Sequence, residues 1–102
     1  MPKRVDSIQA AIIRELRAHG ASVQVLSDVG HGCPDLVIGY AGRTTLVEVK
    51  APGGRLTPDQ EAWFRQWRGR AAVVRSIEDA LSLLECPQQP LERPYSPDSD
   101  PA

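Results

Sequence analysis

Val5, Ile8, Ile12 and Leu16 recur at spacings of three and four and are followed by Gly20. That pattern predicts an amphipathic helix over residues 6–19 with a glycine at its stop. Val23 and Val25 alternate with polar neighbours, which predicts a strand over residues 22–27 ahead of a glycine-rich loop at 28–34. Two β-rich runs follow at 35–40 and 43–50, joined by Ala41-Gly42, and read as a hairpin. Pro52-Gly-Gly54 ends the second run. In Thr57-Pro-Asp-Gln60, Thr stands as helix cap, Pro at the first helical position and Gln three residues after the cap, so a helix is expected to run from there to Arg68 and close at Gly69. Ala71-Ala-Val-Val-Arg75 reads as a short buried strand, and Ser76-Ile-Glu-Asp79 as a second capping box opening a helix through about Glu85. The predicted order, αβββαβα, is an α/β fold: a mixed four-stranded sheet flanked by helices, in which the helical crossover makes the last two strands parallel.

Composition changes where the domain ends. Five of the nine prolines fall in residues 86–102, with Leu91 and Tyr95 as the large apolar groups there. This acidic, Pro-rich stretch is expected to be a disordered tail, leaving residues 1–85 as the working domain. No apolar run approaches the ~18 to 20 residues of a membrane span, and Met-Pro-Lys-Arg-Val-Asp lacks the apolar segment of a secretory leader. Two cysteines and two histidines match neither a disulfide framework nor a zinc-ligand spacing, which suggests a reducing, intracellular setting, cytoplasmic or nuclear. A net charge of -1 argues against a protein that grips nucleic acid by bulk electrostatics. Basic charge is nevertheless concentrated locally: residues 55–75 carry five Arg against Asp59 and Glu61.

The hairpin brings the chemistry together. If Ala41-Gly42 is a two-residue turn, Tyr40 faces Arg43 and Asp35 falls opposite Glu48, with the two Cβ atoms about 4.5 to 5.5 Å apart. Strand alternation places Lys50 on the same side of the sheet. Each piece alone also fits the solvated face of an amphipathic strand. Together they sit among Leu36, Val37, Ile38, Leu46, Val47 and Val49, where unpaired charge is expensive, and two opposed carboxylates with an adjacent cation suit a hard metal ion.

Gly32-Cys-Pro-Asp35-Leu, Glu48-Val-Lys50, Thr57-Pro-Asp-Gln60 and the closing strand and helix resemble the signature of the VRR-NUC family within the PD-(D/E)XK nucleases. The resemblance implies a restriction-endonuclease-like core and a metal-dependent DNA endonuclease acting on structured DNA, leaving a 5′-phosphate and a 3′-hydroxyl. It implies that Asp35, Glu48 and the Val49 carbonyl hold Mg²⁺ or Mn²⁺, that Lys50 serves the attacking water or the transition state, and that Gln60 lies near the site. Gln60 has a rival role in the capping box, and one side chain is not expected to satisfy both fully. The family's acidic residue on the first helix would correspond to Asp6, with Glu15 more than two turns beyond Asp6. Stand-alone members resemble Holliday junction resolvases working as homodimers, because a four-way junction needs two symmetric cuts.

Lesser candidates are His31, Arg65 and Arg68 as DNA contacts, with Arg70 and Arg75 beside them, or else as solvated residues. Trp63, Phe64 and Trp67 at helical spacing are expected in the core or in a dimer seam. The competing reading of the chain is a non-catalytic nucleic-acid-binding or dimerisation module that keeps the nuclease fold.

Overall fold

The computed structural model describes residues 4–85, with side chains from Ser7 onward, so the expected tail lies outside the described residues. The elements are α1 (Arg4–Ala18), β1 (Ser22–Val25), β2 (Leu36–Tyr40), β3 (Arg43–Val49), α2 (Pro58–Gln66), β4 (Ala71–Val74) and α3 (Ile77–Ser82). This is the order read from the sequence. The strands lie side by side as β1-β2-β3-β4, with β1–β2 and β2–β3 antiparallel and β3–β4 parallel. Among the described residues no helix is long and apolar enough to cross a membrane.

Strand alternation divides the sheet into two unlike faces. Leu36 and Ile38 of β2 and Val47 and Val49 of β3 join Ile12 and Leu16 of α1, Val74 of β4 and Ala80 of α3 in one buried cluster. Glu48, between Val47 and Val49, therefore points to the opposite face, where α2 crosses from β3 to β4. None of the α2 residues is buried. Trp63 and Phe64 are half-buried and Trp67 is 44% exposed, so the expected core role of these aromatics is not met. Spacing alone identifies an apolar stripe but not what lies opposite it. The helix also stops at Gln66 instead of Arg68, because Trp67 takes an extended backbone (φ -76, ψ 132) while its ring stacks on Trp63 at 4.7 Å.

Both predicted caps form, in different ways. At α2 the Thr57 side chain accepts from the Gln60 N–H and the Thr57 N–H donates to the Gln60 side chain, a complete capping box. At α3 the Ser76 hydroxyl accepts from the Asp79 N–H, but the Asp79 carboxylate accepts from Arg75 N at 2.8 Å, one residue beyond the expected partner. The second box is thus half a box, since an aspartate at that position finds the freed amide at the end of β4.

The hairpin turn sets the register on which the site depends. Tyr40 pairs with Arg43 and Leu36 with Val47, as a two-residue connection requires. Ala41 and Gly42 have φ 52 and 78, both left-handed, which matches a type I′ turn whose twist suits the flanking strands. Glycine adopts that region freely, whereas alanine holds it against its Cβ. Ala41→Asn, which tolerates the same conformation, should therefore stabilise the chain by about 0.5–1 kcal/mol. A thermal melt is expected to rise by a few degrees, and a fall would contradict the turn assignment.

Candidate active site

The end of the hairpin places two carboxylates on adjacent strands. Asp35 immediately precedes β2, with Pro34 fully buried before it and its own carbonyl accepting from Leu26 N at 2.7 Å. Extending the β2–β3 register by one residue sets Asp35 opposite Glu48. The Asp35 carboxylate also accepts from Val49 N at 3.0 Å, which fixes its height relative to β3. Lys50, the next residue on the Glu48 side, brings its ammonium to 3.7 Å from Glu48 Oε2, the ion pair found among the described residues.

Glu48 is only 3% exposed. Its Oε2 takes the Gln60 amide as a donor at 2.9 Å and the nearby Lys50 ammonium, while its Oε1 is buried with no hydrogen-bond partner among the described residues. Burial, followed by the negative charge of Asp35, pushes the Glu48 carboxyl up to about 7 from its ordinary 4.5, against the opposing pull of Lys50. The same surroundings act on Cys33, whose thiol is raised by burial first and then by Glu48 and Asp35.

Gln60 resolves the competition posed by the sequence. Its Oε1 accepts from Thr57 N at 2.9 Å, completing the cap, and its Nε2 donates to Glu48 Oε2 at 2.9 Å. Both roles are filled at once, contrary to the expectation that one side chain could not serve two, because the two ends of an amide are separate groups. The chemistry admits one orientation: a backbone N–H needs the oxygen and a carboxylate needs the NH₂.

The remaining candidates are dispersed. Among the described residues no three His, Cys, Asp or Glu side chains come together to hold an ion, so Glu15 does not join Asp35 and Glu48, and the Asp6 side chain lies outside the described part. His31 is exposed in the glycine loop with φ 57. Arg65 and Arg68 are exposed on and just beyond α2. Arg70 donates to Thr45 Oγ1 at 3.0 Å, and Arg75 donates to the Gly54 carbonyl at 2.6 Å. Arg75 thus pins the turn that leads from Lys50 into α2, a positioning role that no spacing in the sequence signals.

A family model described as the VRR-NUC domain matches residues 26–78, more than half of the chain and all of Asp35, Glu48, Lys50 and Gln60. The chain belongs to the VRR-NUC domain family. A solved structure described as a "VRR_NUC domain" is similar to it, with 27% sequence identity and a TM-score of 0.65, over 82% of this chain and 97% of that one. No curated protein matches the chain. VRR-NUC is a nuclease-type domain, which ties this chain to nuclease chemistry on DNA. The family match begins at residue 26 and leaves out α1, the helix from which the third acidic ligand was expected.

Two carboxylates, one of them with a buried oxygen that has no partner among the described residues, form a donor set that fits a hard, oxygen-seeking divalent cation. The raised Glu48 carboxyl has a consequence for the metal-free protein. Between pH 4.5 and about 7 the folded chain holds a proton that the unfolded chain has released, so this contribution to stability is complete in acid and is lost as pH rises through 7. In chelator, the melting temperature of the wild type should fall relative to Glu48→Gln as pH is raised from 5 to 8. Parallel pH profiles for the two proteins would contradict the burial of this charge.

Proposed function

We propose that the chain is a Mg²⁺- or Mn²⁺-dependent endonuclease that hydrolyses phosphodiester bonds in structured DNA, with the four-way junction as the substrate class best suited to a paired site. The observation that carries this reading is Glu48 Oε1, buried beside Asp35 without a partner among the described residues. A carboxylate oxygen in that position costs free energy until something donates to it or coordinates it. Asp35 and Glu48 would hold the ion, with the Val49 carbonyl and water as further oxygen donors. When bound, the ion supplies Lewis-acid polarisation of the scissile phosphate and a lowered pKa for the attacking water.

The chain's own residues divide the remaining work. Glu48 gives up its proton to bind, Gln60 keeps Oε2 fixed so that Oε1 is the free oxygen, and the Val49 N–H holds the Asp35 carboxylate in place. Lys50, near Glu48 and 17% exposed in its side chain, is the group able to meet negative charge developing on the phosphate or to orient the water. The half-exposed aromatic stripe of α2, Trp63 with Trp67 stacked at 4.7 Å and Phe64 edge-on at 5.2 Å, supports a homodimer in which a second copy covers it. Two-fold pairing would supply the second site that a symmetric double cut requires. Exposed Arg65 and Arg68 are suited to contact the DNA backbone, as is His31 from the loop.

Thermal melts with and without Mn²⁺, beside a cleavage panel of branched and linear DNAs and a sedimentation run, test this reading. Asp35→Asn should abolish cleavage yet fold at least as stably, because an amide oxygen still accepts from Val49 N while the repulsion with Glu48 is removed. Mn²⁺ should raise the melting temperature of the wild type and scarcely that of the mutant, since a ligand of the folded state stabilises by RT ln(1 + [L]/Kd). Lys50→Ala should lose cleavage and keep the shift. DNA binding without cutting at any metal concentration would favour a binding module, and full activity in Asp35→Asn would remove the site.

A further inference from the structure

The glycine loop and the first turn of α2 are 27 residues apart in sequence and meet backbone to backbone. A Cβ built on Gly32 would lie 2.7 Å from the Asp59 carbonyl carbon, 3.1 Å from Gln60 N, and closer still to the Asp59 oxygen. No side chain fits there without moving α2, because the obstructing atoms are helix backbone and have no rotamer to change. Asp59 and Gln60 belong to the turn whose amide ties Thr57 to Glu48. We infer that Gly32 is a positioning residue, whose bare α-carbon seats the first turn of α2 so that the Gln60 amide reaches the buried Glu48 carboxylate.

Three observations converge on this role. α2 buries none of its residues, so packing of its side chains does not fix its position with any precision. Its N-terminal end is instead held by backbone and polar contacts: the Gly32 approach, the capping box, the Gln60–Glu48 bond and the turn pinned by Arg75. Finally, the Gln60 amide donates to Glu48 Oε2 at 2.9 Å, with the Lys50 ammonium at the longer distance of 3.7 Å. A shift of about 1 Å in the helix would break the former. Gly32 therefore acts on Glu48 through Gln60, and its effect should vanish when Gln60 is truncated.

Gly30 supplies a matched control in the same loop. Gly30 and Gly32 both have left-handed backbone, φ 79 and 83, so alanine at either position meets the same conformational penalty. A Cβ at Gly30 meets nothing within 4 Å. The experiment follows ¹⁵N-labelled full-length protein in chelator by NMR, recording hydrogen exchange at the Thr57 amide and at the Gln60 side-chain NH₂. Mn²⁺ affinity is measured by calorimetry on the same samples. Gly32→Ala should speed exchange at both groups at least tenfold relative to Gly30→Ala, and should weaken Mn²⁺ binding at least tenfold. In a Gln60→Ala background, Gly32→Ala should add no further loss of affinity.

Equal exchange in the two alanine variants would overturn the inference. So would loss of a cooperative melt in Gly32→Ala alone, because the contact would then hold the fold rather than the site. The Mn²⁺ arm rests on the metal reading above, while the exchange arm does not. A wild type that binds no Mn²⁺ would count against that reading and leave Gly32 to be decided by exchange.

Discussion

Burying Glu48 at 3% exposure beside Asp35 sets a cost that the described residues offset only in part. One carboxylate oxygen is met by Gln60 and approached by Lys50, and the other has no partner. In a low-dielectric setting the group responds by holding its proton up to about pH 7. A fold that served stability alone would be better off with an apolar residue at this position, since replacing a buried, incompletely paired charge by a hydrophobe is often neutral or stabilising. The cost is coherent if the site is completed by a cation, and the local geometry around the hairpin end holds both carboxylates in place.

Three separate devices maintain that geometry. The left-handed Ala41-Gly42 turn fixes the β2–β3 register, and with it the opposition of Asp35 and Glu48. The Val49 N–H ties Asp35 across to β3. The α2 cap then orients the Gln60 amide, so that satisfying a helix terminus also aims a donor at Glu48. The sheet's other face carries the apolar cluster with α1 and α3, so stability and chemistry are divided between the two sides. Glu48 and Val49, neighbours in one strand, serve opposite sides by the period-two alternation of β structure.

Much of this could be read from residues alone because it depends on short-range rules. A two-residue turn dictates register, alternation dictates facing, and a Thr-Pro-x-Gln opening dictates a cap, so the element order, the Asp35–Glu48 opposition and the start of α2 were all legible. What could not be read depends on distance in sequence or on separate atoms of one side chain. Treating Gln60 as one group made its two roles look exclusive. The approach of Gly32 to Asp59 and of Arg75 to Gly54 arises from folding, and no local pattern announces either. The aromatic stripe of α2 was visible as a stripe, but its spacing says nothing of whether another element covers it. The third acidic ligand was expected on the first helix, where neither Glu15 nor the described part of α1 supplies it to Asp35 and Glu48.

If, as proposed, a divalent ion replaces the proton held on buried Glu48, calorimetry can count that proton. Mn²⁺ titrations of the full chain in buffers of different ionisation enthalpy report the protons released per ion bound. With the carboxyl at about 7, release should be close to one proton per ion near pH 6 and fall toward zero near pH 8. Binding near pH 6 without proton release would contradict the account, because the ion would then be taken up somewhere other than Glu48 or by a carboxylate that was never protonated.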